Sequence, residues 1–165
     1  MEERTLLILN QVDNLLKKSR NEEAEYMLLH SLDFEETHLQ YMKLGYIYSI
    51  QIHRLHDAAG AYRKALQLNK DDAEIMILLG EVLYRAGKKQ EALNCFLNAI
   101  KSNPCRYTYR AYFFLALLYQ NWNRPERSLR FLNLCLKCKS DYIPAVKMLN
   151  LLKNKYLPST GISSG

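Results

Sequence analysis

Small side chains recur along this chain at a fixed lag. Ala24, Ala58 and Ala92 stand 34 residues apart, as do Leu28, Tyr62 and Phe96, and Ser31, Ala65 and Ala99. The next step is 36 residues, from Ala92 to Ser128, Phe96 to Leu132 and Ala99 to Cys135, and likewise from Leu79 to Leu115, Gly80 to Ala116 and Leu83 to Tyr119. A small residue on an otherwise bulky apolar face lets a second helix come close. Repetition at this period implies a stack of short supersecondary units, each covering the apolar flank of the next.

Each unit reads as two helices. In "IMILLGEVLYRAGKKQEALNCFLNAIKSNP" the apolar residues of 75–86 fall at helical spacing and stop at Gly87, a favoured helix C-terminal residue. A second helix is predicted over 90–102, with Pro104 ending it. The units so defined run over about 5–38, 39–72, 73–106 and 109–142. Between the helices of the second, "SIQIHRLHDA" carries one extra residue and no glycine, and Tyr107 and Thr108 form an insertion before the fourth. Beyond Asp141, "YIPAVKMLNLLKNKY" predicts a capping helix over about 143–156, with Pro144 in its first turn, where a missing N–H costs nothing. Val146, Leu149 and Leu152 make its apolar face, and 157–165 reads as a flexible tail.

Composition agrees with a helical protein that is not a membrane span. Glycine (6) and proline (4) are scarce, and no apolar run reaches the roughly 18 residues a span needs. The opening "MEERTLLILNQ" is acidic ahead of its apolar run, the reverse of a secretory signal, so a cytoplasmic or nuclear protein is expected. The formal charge of +6 conceals an asymmetry: residues 1–100 hold 12 basic and 15 acidic side chains, whereas 101–165 hold 11 and 2.

The repeated residues resemble the tetratricopeptide repeat (TPR) family, whose unit has a bulky residue, Leu-Gly, Tyr, Ala, an aromatic, Ala and Pro at set offsets. The third unit supplies Met76, Leu79, Gly80, Leu83, Ala92, Phe96, Ala99 and Pro104; the second supplies Tyr41, Leu44, Gly45, Tyr48, Ala58, Tyr62 and Ala65. The first (Ile8, Val12, Leu15, Ala24, Leu28, Ser31) and fourth (Tyr112, Leu115, Ala116, Tyr119, Ser128, Leu132, Cys135) are degenerate. The resemblance implies an all-α fold, a right-handed superhelix of about four helix-turn-helix units plus the capping helix. It also implies a concave groove, with Leu9, Asp13, Met42, Tyr46, Ile77, Glu81, Tyr84, Arg110, Phe113 and Leu117 facing inward. That set reads as apolar and aromatic with few charges, suited to an extended or helical peptide with apolar anchors. At the positions of the carboxylate clamp used by TPR co-chaperones stand Leu9, Asp13, Lys43, Glu74 and Leu78, or one unit on Met42, Tyr46, Leu78, Arg110 and Phe114, so that clamp is absent. The expected function is a non-catalytic scaffold or adaptor within a multiprotein complex, as for TPR subunits of the anaphase-promoting complex.

Other signals are weaker. "CLKC" (Cys135, Cys138) has metal-ligand spacing but lacks a second pair, and Cys135 occupies the small-residue position equivalent to Ala99, so no metal site is assigned. "CRYTYRAYFF" interleaves Arg106 and Arg110 with tyrosines, a pattern shared by nucleic-acid binders, yet Tyr112 and Phe113 already belong to the helical pattern. RNA binding through the basic C-terminal third is therefore the alternative, and it is disfavoured. Arg124, Arg127 and Arg130, three apart, make a basic ridge suited to an acidic protein surface. Glycines are isolated, so no phosphate loop forms; catalysis and a cofactor are not expected. Self-association through a terminal unit is a further possibility.

Overall fold

The structure is a computed structural model that describes residues 3–102 and 106–156. Among them, helices follow one another without a strand: α1 (Glu3–Lys17), α2 (Asn21–Ser31), α3 (His38–Ile50), α4 (Leu55–Leu68), α5 (Ala73–Arg85), α6 (Lys89–Ser102), α7 (Thr108–Asn121), α8 (Pro125–Cys138) and α9 (Ile143–Tyr156). The tightest partners are α3 with α4, α5 with α6, and α7 with α8. Each pair then leans on the next in chain order, and α5 also touches α7. The result is the all-α superhelix expected from the repeat. Pro104 and the tail 157–165 lie outside the described residues.

Within the pairs, a bare backbone faces a ring. A Cβ at Gly45 would stand 2.6 Å from the Tyr62 ring, and one at Gly80 would stand 2.6 Å from the Phe96 ring. Both rings are buried, as are Ala58, Ala65, Ala92 and Ala99. The degenerate units keep the volume by a different split: Val12 with Leu28 in the first, Ala116 with Leu132 in the fourth, all fully buried.

Turns inside the units follow a second rule. Ser19 (φ 57), Gly87 (φ 78) and Asn123 (φ 51) take the left-handed conformation after α1, α5 and α7. The following amides then reach back: Arg20 N–H donates to Leu15 O at 3.0 Å, Lys88 N–H to Leu83 O at 2.9 Å, and Arg124 N–H to Tyr119 O at 2.8 Å. Between α3 and α4 the extra residue replaces this device with a 3-10 turn, Ile52–Arg54. There the carbonyl of Ser49 instead accepts from Arg85 Nη1 at 2.6 Å. Helix starts are also fixed locally: Thr37 and Gln40 form a capping box at α3, and Asp72 accepts from Ile75 N–H at 3.1 Å at α5. Gln40, fully buried, also donates to Ser31 at 2.7 Å and ties α3 to the end of α2.

Gly80→Ala should cost about 1–3 kcal/mol in urea denaturation by forcing the Phe96 ring aside. Adding Phe96→Leu recreates the Ala116–Leu132 split of the fourth unit, so the double variant should be more stable than the sum of the two single losses. Simply additive losses would show that ring and backbone are not coupled.

Candidate functional site

The inner face holds a cleft of about 440 Å3 between α3, α5 and α7. Met42, Lys43, Tyr46, Ser49 and Ile50 form its α3 wall; Glu74, Leu78, Glu81, Val82 and Arg85 its α5 wall; Tyr107 and Arg110 close it. On α5 these residues follow one helical stripe, Glu74, Leu78, Glu81 and Arg85. Tyr62 reaches the cleft floor because Gly45 has no side chain to block its ring. The device that packs the unit thus also shapes the site.

The inward residues read from the sequence divide. Met42, Tyr46, Glu81 and Arg110 line the cleft, and Asp13 sits at its rim in an ion pair with Lys43. Leu9 and Ile77 do not line it: they are 4% and 1% exposed and belong to the core beneath. Ile77 lies one residue, about 100°, off the Leu78 stripe and so points between helices. Tyr84 turns towards α7, its ring 5.4 Å from Phe114 and its hydroxyl accepting from Asn121 Nδ2 at 2.9 Å. Phe113 packs on Tyr142 at 5.3 Å, and neither it nor half-buried Leu117 reaches the cleft. The expectation of few charges fails as well, since Lys43, Glu74, Glu81, Arg85 and Arg110 all line the walls. Three of these charged positions, Lys43, Glu74 and Arg110, coincide with the clamp positions named above.

Glu81 is the centre of this electrostatic arrangement. Its Oε2 accepts from Arg110 Nη2 at 2.5 Å, while its Oε1 is buried with no hydrogen-bond partner among the described residues. The side chains are 14% and 32% exposed, so the carboxylate is the more desolvated of the two. Burial raises the Glu81 pKa above its ordinary 4.5, with Arg110 opposing the rise. Glu74 is raised for the same reason, burial, and then by Asp72. Outside the cleft, Arg124, just before α8, and Arg127 and Arg130 on it are exposed. Cys135 is fully buried, which pushes its thiol up to about 12, whereas Cys138 is exposed.

Helix pairs stacked in chain order around an inner cleft define a helical-repeat scaffold. Tetratricopeptide repeats match at residues 50–104 and 82–134, which together span just over half of the sequence. The chain belongs to the TPR family. It is 36% identical over 88 residues to human protein arginine N-methyltransferase 9, covering 49% of this chain but only 10% of that enzyme. Its fold is similar to that of Pseudomonas aeruginosa PilF (TM-score 0.83, 18% identity, 90% of this chain and 67% of the other). It is also similar to YrrB, a TPR protein with an unusual peptide-binding site (TM-score 0.73, 21% identity, 84% and 71%). At these identities the structural likeness is one of fold.

Because folding raises the Glu81 pKa, stability should fall as pH rises through the interval between its unfolded and folded values, and level off above it. Side-chain carboxyl NMR should give a Glu81 midpoint above 4.5, and Arg110→Met should move it higher still by removing the opposing charge.

Proposed function

We propose that this chain is a non-catalytic scaffold that holds an extended segment of a partner protein in the α3–α5–α7 cleft, as one subunit of a multiprotein assembly. The buried Oε1 of Glu81, without a partner among the described residues, carries this reading. A buried acceptor without a donor is costly, and a rotation of the Glu81 side chain, which lines the cleft, turns it towards an N–H of a segment laid there. Arg110 already balances the Glu81 charge, so the donor that fits best is a neutral amide. Met42, Tyr46, Ile50 and Leu78 around it receive apolar side chains. The peptide-binding site of the similarly folded YrrB supports the same use of a TPR scaffold. We assign the protein to the cytoplasm or nucleus, where the thiols of Cys95, Cys135 and Cys138 stay reduced. Cleft walls of both signs suit a protein segment better than a nucleic acid.

Short structureless peptides displayed on phage and panned on the immobilised chain should yield binders that shift the NMR signals of Tyr46, Leu78 and Glu81. Tyr46→Ala or Leu78→Ala should weaken these binders about fivefold or more. Phe113→Ala, outside the cleft, should leave them unchanged. Raising salt from about 50 to about 200 mM should cost under tenfold in affinity, against about 10³-fold or more for phosphate contacts. Binders indifferent to both cleft variants would overturn the reading.

A further inference from the structure

The outer turn edge carries a charge pattern that breaks in the fourth unit. At the start of the second helix in each of the first three units, a base pairs with an acid three residues on: Arg20 with Glu23, Arg54 with Asp57 at 3.2 Å, and Lys88 with Glu91 at 3.6 Å. The bases recur as Arg20, Arg54, Lys88 and Arg124, and the acids as Glu23, Asp57 and Glu91. The fourth position in the acid series is Arg127. Arg124 and Arg127 therefore stand together, and neither has an ion-pair partner among the described residues.

Trp122 stands beside this reversed pair. One depression, of about 430 Å3, is lined by Gln90, Leu93, Tyr119, Trp122, Arg124 and Arg127. A second, of about 400 Å3, lies against Trp122 and is bounded by Gly87, Lys88, Lys89, Gln90 and Glu91. The indole is thus flanked by the turns of two successive units. Its neighbour Tyr119 offers no free face: Phe131 stacks on it at 5.4 Å and 7°, and the Arg127 guanidinium lies 5.4 Å from its centroid. Tyr119 is thus closed to a stacking base, whereas carboxylates meet a row of cationic donors.

We propose that this patch binds an acidic segment of a partner protein, whose Asp or Glu side chains take the place of the carboxylate that the fourth unit lacks. Carboxylates are the chemistry that the first three units supply internally at this position. The patch lies on the turn edge, away from the cleft residues, and the inference does not depend on how the cleft is used.

Trp122 is the only tryptophan in the chain, so its emission reports this patch directly. Hexaglutamate, which carries no chromophore, should change that emission saturably. Arg127→Glu restores the base–acid pair of the other three units, so it should leave the melting temperature level or higher while weakening hexaglutamate about tenfold or more. Arg124→Gln with Arg127→Gln is a second variant that removes both charges without adding an acid, and it should weaken binding similarly. Lys147→Gln with Lys153→Gln, an equal loss of charge on α9, should change it less than about twofold. The proposal is overturned if emission does not respond, if Arg127→Glu binds as the unmodified chain does, or if the α9 variant weakens binding as much. Tighter binding of poly(uridylate) than of hexaglutamate, read by the same emission, would overturn it in favour of a nucleic acid.

Discussion

The contact on which the structure depends is an aromatic ring laid against bare backbone. Gly45 and Gly80 admit the rings of Tyr62 and Phe96 to a distance no Cβ could tolerate. This brings the two helices of a unit close enough for their neighbours to be sealed by alanine-sized residues, Ala58 and Ala65 or Ala92 and Ala99. Where glycine is lost, the ring is lost with it, as at Val12–Leu28 and Ala116–Leu132. The degenerate units are therefore different divisions of the same volume between two facing positions, and the core stays continuous through them.

The same contact connects packing to function. Tyr62 is both the packed ring and part of the cleft floor, and the cleft's two walls come from first helices that the repeat sets side by side. Glu81 and Arg110, from successive units, meet across it. Neither has its partner within its own helix pair, so the site exists only because the units stack.

How much of this was legible in the sequence follows from what each feature depends on. Pairing, turn positions and the capping helix follow from spacing along the chain, and the residues that repeat, such as Gly80 and Phe96, carry them. Even the irregular second turn was marked by its extra residue and missing glycine, which became the 3-10 turn Ile52–Arg54. The inner face was read less well because it depends on how helices of different units are rotated against one another. A rotation of one residue put Ile77 in the core and Leu78 in the cleft. Tyr84 and Phe113 were drawn off by aromatic partners on other elements, Phe114 and Tyr142, which no periodicity announces. The capping box "THLQ" and the charge reversal at Arg127 were present as local signals; the first is a known start pattern and the second appears on aligning the units.

Polar bonds also cross from unit to unit: Lys43 to Asp13, Arg54 to Glu25 at 2.8 Å, Arg63 to Glu91 at 2.8 Å, Arg85 to Ser49 and Arg110 to Glu81. Most of them are ionic, and those on the surface weaken as dissolved ions accumulate. The hold of one unit on the next, and with it the firmness of the frame offered to a guest, accordingly depends on the surrounding electrolyte as well as on the chain.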